Sequence, residues 1–259
     1  MKKIALFVAL SILAVIGLTS CVKVGSDNVK FTNKYDHAAL YNPGNVPVSD
    51  AVKTLEIDWI SGSVSIESYD GTELLFNELS DSSLSEATTM HYWIENGRCL
   101  HIRFAKSGAT FKKLDKFLMV KVPAAWKLEK MEIDNVSADV DVVGVSCDEI
   151  ELDNVSANVE IRNAAVDKLA VNTVSGSLLA SFGDTALGRQ PNKITFESVS
   201  GNASLILPKQ WGFTAEIETV SGKLDCPSDT KIDNGEFIYG DGSIGIEMES
   251  VSGSLHIGH

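Results

Sequence analysis

Apolar and polar positions alternate along this chain with a period of two, in short bursts. The bursts repeat one phrase, apolar-x-apolar-x-x-apolar-Ser-small-x-apolar-x-apolar. It occupies Leu55–Ile66, Met131–Val142, Ile150–Ile161, Leu169–Ala180, Ile194–Leu205, Ala215–Cys226 and Ile246–Ile257. The central apolar residues are Ile60, Val136, Val155, Val174, Val199, Val220 and Val251, and from Val136 onward they stand 19, 19, 25, 21 and 31 residues apart. A period of two makes each copy a pair of short strands, and such spacings with variable insertions are the signature of a solenoid. The fold expected is all-β: a single-domain β-solenoid, parallel β-helix-like, over residues 54–259. Propeller blades need about 40–45 residues, and a sandwich needs hairpin turns between consecutive strands. Asn96-Gly97 and Asn234-Gly235 are the strong hairpin signals, and they are expected to close local excursions.

Each copy carries a small residue at its corner: Gly62, Ala138, Ala157, Gly176, Gly201, Gly222 and Gly253. A larger side chain there would crowd the next coil. Just before the central residue come Asn135, Asn154, Thr173, Ser198, Thr219 and Ser250, a series able to stack as a hydrogen-bonded ladder. Trp59 breaks the series in the first copy and reads as an end position with nothing stacked above it. The central valines, Val155 among them, read as stacked core. The final copy needs a cover for its strand edges, and the stretch Asp229–Gly242 is expected to supply it. Glu247 and Glu249 would resist register-matched self-association, so a monomeric ectodomain is expected.

The Val-Ser-Gly corners, the strand-then-proline steps at Leu118–Pro123 and Leu207–Phe213, and the turn Tyr239–Gly242 together resemble DUF4097. This is a family of bacterial β-strand-repeat proteins, also called toastrack domains, to which an adhesin role is ascribed. The resemblance covers residues 54–259 and implies a β-solenoid, a cell-envelope location, a non-catalytic binding or scaffold module and no enzymatic residues. Ala138 and Ala157 depart mildly from its glycine corners. Some members accompany envelope-stress signalling systems, which makes a sensory or scaffold component the alternative role.

The first residues read as an address. Met1-Lys2-Lys3 is basic and Ile4–Leu18 is apolar, too short for a membrane span and suited to a signal peptide. Leu18-Thr19-Ser20-Cys21 resembles the lipobox of bacterial lipoproteins, which implies cleavage after residue 20 and acylation of Cys21. Residues 1–20 are then the signal peptide, and 21–53 a lipidated N-terminus and tether, part of which reads equally as an edge strand or a cap over the first rung. The expected location is extracytoplasmic and lipid-anchored, with acyl chains as the membrane contact.

Composition narrows the chemistry. The chain is 44% hydrophobic and 22% charged, enough for a packed core. Its net charge of −13 becomes about −15 without residues 1–20, which excludes nucleic acid as a partner. Four cysteines exclude a disulfide miniprotein and a multi-cysteine zinc module. Cys99, Cys147 and Cys226 read as free thiols, Cys226 in an inward position. His37, His91, His101, His256 and His259 are scattered without zinc spacing and read as surface or tail residues. With no nucleophile elbow, Walker loop or dinucleotide fingerprint, no cofactor and no catalytic residues are assigned. A β-helix polysaccharide-active enzyme is the remaining alternative, without a recognisable lyase base.

The main polar feature is a pair of acidic columns. Asp58, Asp134, Asp153, Glu197, Glu218 and Glu249 stand two residues before the central position, and Glu56, Glu132, Glu151, Glu216 and Glu247 two further back. Both alternate with core positions and should point outward, about 4.8 Å from coil to coil. The favoured reading is a solvated negative face that discourages aggregation. The alternative is a shared hard cation such as calcium; no metal site is assigned. A long flat solenoid face also suits a partner protein or glycan.

Cys21→Ser is expected to abolish acylation and move the protein from the detergent phase to the soluble fraction. A variant that still partitions with membranes would refute the lipobox reading.

Overall fold

The computed structural model describes residues 31–183 and 189–259; Cys21 and the segment preceding it lie outside the described residues. Five of the seven phrases fold as two short strands meeting at a corner, the other two as single strands, Thr54–Tyr69 and Leu128–Val143, that run through it, and the copies stack in parallel register into two ladders. Sheet A collects the first halves and sheet B the second halves. In spatial order, coil 1 is Cys99–Arg103 with Lys116–Pro123, coil 2 is Thr54–Tyr69 and coil 3 is Leu128–Val143. Coil 4 is Ser146–Asn154 with Val159–Arg162, and coil 5 is Ala165–Thr173 with Leu178–Ser181. Coil 6 is Lys193–Ser198 with Ala203–Ile206, coil 7 is Ile244–Ser250 with Leu255–Gly258, and coil 8 is Phe213–Thr219 with Leu224–Asp225. The expected β-solenoid is therefore the fold. Inward side chains of both sheets, such as Leu55, Ile57, Val64 and Ile66 in coil 2 and Met131, Ile133, Val140 and Val142 in coil 3, interleave in one core.

The corner explains why the phrase recurs. In coils 3 to 8 the residue before the central valine turns its polar side chain inward and accepts a hydrogen bond from the backbone N–H three residues on. Asn135 Oδ1 takes Ala138 at 3.2 Å, Asn154 Oδ1 takes Ala157 at 3.1 Å and Thr173 Oγ1 takes Gly176 at 2.8 Å. Ser198, Ser250 and Thr219 do the same for Gly201, Gly253 and Gly222 at 3.2, 2.7 and 2.9 Å. Rungs also connect, with Thr173 Oγ1 donating to Asn154 Oδ1 at 2.6 Å and the Ser198 and Ser250 hydroxyls 2.9 Å apart. The expected ladder is present in part: the polar side chains stack in register, but among the described residues hydrogen bonds join the rungs at two of the five steps, and Asn135 Nδ2 and Asn154 Nδ2 have no partner. Glycine is needed because the neighbouring corner carbonyl fills the space of a side chain. A Cβ on Gly176, Gly201, Gly253 or Gly222 would lie 1.9, 1.9, 1.8 or 1.7 Å from the carbonyl oxygen of Ala157, Gly176, Gly201 or Gly253 respectively. Alanine stands at this place in coil 3, whose strand runs unbroken through the corner, and in coil 4, which stacks on it.

Three expectations are corrected. Trp59 is no end position, because coil 1 stacks on it. Its ring is fully buried, 5.0 Å from Phe104 in a T-shaped contact, and its Nε1 donates to the Lys116 carbonyl at 3.3 Å. The central valines of coils 3 to 7 are half-buried and Val220 of coil 8 is exposed, while Asp153 is 5% exposed, since the inward turn of the ladder residue puts the next side chain on the outside. Chain order is not spatial order: the seventh copy occupies coil 7, between the fifth and the sixth. Its edges are thus covered by neighbouring coils, and the excursion at 229–242 instead lays Glu236–Tyr239 antiparallel on Phe213–Ala215 of coil 8. Of the readings left open for the stretch before residue 54, the cap is the one seen from Phe31 on, where it packs against coil 1. Phe31–Thr32 pairs with Thr110–Phe111, Asn42–Pro43 with His91–Tyr92, and Val48 and Val52 are buried.

Both Asn-Gly signals close hairpins, with Asn96, Gly97, Asn234 and Gly235 all at positive φ. One hairpin, His91–Arg103, supplies both the first strand of coil 1 and its antiparallel cover.

Gly201→Val is expected to lower unfolding free energy by about 3 kcal/mol or more, whereas Ser200→Ala, on the exposed side of the same corner, should change it by less than about 0.5 kcal/mol. Urea denaturation measures both. Similar midpoints would mean that the corner tolerates a side chain.

Candidate functional site

The outer face of sheet A carries the ionisable groups in three columns set by register. Nearest the corner run Arg103, Asp58, Asp134, Asp153, Asn172, Glu197, Glu249 and Glu218, in order from coil 1 to coil 8. Beside it run His101, Glu56, Glu132, Glu151, Ala170, Thr195, Glu247 and Glu216. A third column, outside the repeated phrase, contains Lys130, Lys168 and Lys193. Lys130 Nζ lies 2.7 Å from Glu132 and 2.8 Å from Glu151, and Lys193 lies 2.8 Å from Glu247. The acidic columns expected from the sequence are therefore real, but the lysines partly neutralise the second of them.

The first column keeps little counter-charge beyond its head. Arg103 Nη1 donates to Asp58 at 3.0 Å, and Asn172 donates to Asp153 Oδ1 at 2.7 Å. Burial, with the Asp58 and Asp153 charges on either side, pushes the Asp134 carboxyl up to about 8. Burial pushes Asp58 up to about 6 despite Arg103. Asp153 is raised by burial, and Glu197 and Glu249 are raised by burial and by the carboxylates of adjoining coils. Glu218, in the outermost coil, is exposed.

At the head of both columns, coil 1 places a buried cationic and aromatic cluster. Arg103, 6% exposed, also donates to Glu56 Oε1 and lies 5.6 Å from the Tyr41 ring and 5.9 Å from Tyr35. His101, 7% exposed, stacks on Trp93 with ring centres 4.9 Å apart and an interplanar angle of 14°. Its Nδ1 is 3.0 Å from Glu56 Oε2 and its Nε2 is 3.3 Å from Glu95 Oε2. Burial works against charge on both groups, yet Cys99 and Glu56 raise His101 to about 10, and His101 and Arg103 hold Glu56 down at about 2. Donor atoms of Glu56, Cys99 and His101 all lie within 4.8 Å of one another. Among the described residues the acidic columns themselves do not gather three ligand atoms so closely.

His91 and His101 are thus buried, contrary to the surface reading, because the Asn96-Gly97 hairpin folds their strands under the N-terminal cap. Cys99, His101 and Arg103 alternate on one strand and face one way. That alternation was readable; that the face meets Glu56 and Asp58, more than 40 residues away, was not. Cys99, Cys147 and Cys226 are free, with Cys147 buried and Cys226 only partly so at the coil 8 edge. Sheet B offers a different surface, a groove of about 530 Å³ across coils 4 to 8 lined by Leu179, Ser204 and His256 among others.

A family model described as Toastrack DUF4097 matches residues 21–257. No curated protein sequence matches significantly. Among solved structures the chain is similar to a candidate cell adhesion protein from Clostridium sporogenes, at 14% identity and a TM-score of 0.53, covering 84% of this chain and 97% of that one. It is also similar to a candidate adhesin from Bacteroides fragilis, at 10% identity and a TM-score of 0.41, covering 84% and 96%. The first likeness is one of fold.

The raised carboxyls give a signed pH dependence. Asp134 keeps its proton to about pH 8 when folded but only to about pH 4 when unfolded. The folded state binds more protons in that window, so stability falls as pH rises through it. Glu56 works oppositely, losing its contribution as pH falls from its ordinary range near pH 4 towards about 2, and His101 loses its contribution as pH rises from about 6.5 to about 10. Asp134→Asn is expected to raise the melting temperature at pH 8 by a few degrees, about 1 kcal/mol, and to leave it nearly unchanged at pH 4. A loss of stability at pH 8 would contradict the repulsive column.

Proposed function

The chain belongs to the Toastrack DUF4097 family, and from that premise we propose that it is a non-catalytic, adhesin-like binding module of the bacterial envelope. Acyl chains on Cys21 would hold it at the membrane surface, and the eight-coil solenoid would present the outer face of sheet A to a cationic protein or an amine-bearing glycan. The observation that carries this reading is the run Glu197, Glu249 and Glu218 on three adjacent coils. Neighbouring strands hold these positions about 4.8 Å apart, and mutual repulsion contributes to the raised carboxyls of Glu197 and Glu249. Like charges in register destabilise a sheet. Such unrelieved charge on a rigid face supplies attraction for an incoming cation and speeds its encounter. The lysine column relieves the adjacent carboxylates at Glu132, Glu151 and Glu247, which leaves this patch as the stronger negative field.

The test is surface plasmon resonance of the purified chain against paired ligands: polylysine peptide with polyglutamate, and chitosan with hyaluronate. Cationic members should bind in a salt-sensitive manner. The triple variant Glu197→Gln, Glu218→Gln, Glu249→Gln should lose about tenfold in affinity or more while melting no lower than the parent. Equal binding of anionic and cationic ligands, or an unaffected triple variant, would overturn the assignment of this face.

A further inference from the structure

We propose that Glu56, Cys99 and His101 form a binding site for a divalent transition metal ion of the zinc class, with its fourth position open to water or another ligand. The two strands supplying these residues pair in parallel, with Glu56 directly opposite His101, and Cys99 precedes His101 by two residues on the same strand face. Their ligand atoms lie within 4.8 Å of one another, and Cys99 is a free thiol.

The arrangement around each donor fits a ligand role. Two atoms bound to one tetrahedral zinc ion at about 2.0–2.2 Å stand roughly 3.3–3.6 Å apart; His101 Nδ1 and Glu56 Oε2 are 3.0 Å apart. Nδ1 is buried and makes no hydrogen bond, despite that approach. The nitrogen and the oxygen sit side by side, as two donors to a common centre do. The opposite ring nitrogen, Nε2, faces Glu95 Oε2 at 3.3 Å. A carboxylate there retains the proton on Nε2, the outer-shell arrangement seen around metal-bound histidines, and the ion takes Nδ1 in exchange for the proton that the pairing with Glu56 holds there, so metal affinity rises with pH.

Glu56 divides its oxygens in the same manner. Arg103 donates to Oε1, which orients the carboxylate and leaves Oε2 towards His101. Trp93 stacks on the imidazole and Tyr41 meets its edge at 6.2 Å, so the ring is fixed before any ion arrives. One thiolate and one carboxylate neutralise a doubly charged ion, and the mixture of sulfur, imidazole and carboxylate favours zinc over calcium or magnesium. No local motif announces the site, because Glu56 comes from another coil.

The experiment uses the full chain purified in mild detergent, stripped with chelator and titrated with cobalt(II) as a spectroscopic substitute for zinc. A near-ultraviolet thiolate charge-transfer band and intense visible bands should saturate at one equivalent and disappear on adding zinc. Cys99→Ser should remove the thiolate band, and Glu56→Gln should weaken cobalt binding about tenfold or more. Cys226→Ser should change neither, and melting curves verify that each variant is folded. No cobalt spectrum from folded parent protein, a thiolate band that survives Cys99→Ser, or full affinity in Glu56→Gln would overturn the site.

Discussion

The whole solenoid depends on how closely one corner can lie on the next. Parallel strands of neighbouring coils are held about 4.8 Å apart by their hydrogen bonds. At Gly176, Gly201, Gly253 and Gly222 this spacing aims the preceding carbonyl into the volume of a missing Cβ. The same corner must turn the chain without stranding a backbone N–H in the interior, where an unpaired polar group costs about 1–3 kcal/mol. The buried Asn, Thr or Ser three positions earlier accepts that N–H. Close approach and polar satisfaction together set the spacing within Asn/Thr/Ser-Val-Ser-Gly, and that in turn fixes the registers of sheets A and B. Every inward and outward column follows from those registers.

A stack of this kind must end, and its two ends are closed by different means. Above coil 2 the polar ladder is replaced by Trp59, Phe104 and the buried Lys116. The Lys116 ammonium lies 2.6 Å from Glu78 and 4.2 Å from the centre of the Phe104 ring. Burial brings this amine down to about 8 even with Glu78 beside it; paired and hydrogen-bonded, it closes the corner stack without an orphaned charge. Antiparallel strands Leu75–Ser80 and His91–Glu95 then cover the edges of coil 1. At the other end coil 8 is covered for only part of its length by Glu236–Tyr239. Val220 and Ile232 are 58% and 69% exposed there. Carboxylates at Glu216 and Glu218 border this open edge, and charge on an edge opposes further strand addition.

The columns join this architecture to function. Any side chain repeated in the phrase becomes a line on the surface, so an acidic residue written in most copies becomes a line of carboxylates whose repulsion the core and ladder must outweigh. Lys130 and Lys193 relieve one line. Arg103 and His101 close the heads of two. The part left unrelieved, on coils 6 to 8, is the part whose charge is available to a partner. The buried cluster at coil 1 is chemically distinct from that field, since its carboxylates are already held by cations and its rings are immobilised by aromatic contacts.

The repeated phrase by itself determined the strand pairs, the solenoid, the small corner and its polar ladder, because all of these arise from short-range periodicity and from what must stack on itself. The two Asn-Gly hairpins were equally local, through the positive φ that such turns require. Only the tertiary structure decided which coil lies next to which. The seventh copy fits between the fifth and sixth because it pairs in register with both, and nothing within a copy names its neighbour. The insertion carrying Cys99–Pro123 lacks the phrase yet forms the first coil, since parallel pairing recognises backbone edges more than side chains. The convergence of Glu56, Cys99 and His101 is of the same kind. Alternation places Cys99 and His101 on one face of a strand, but long-range pairing alone brings Glu56 across from them.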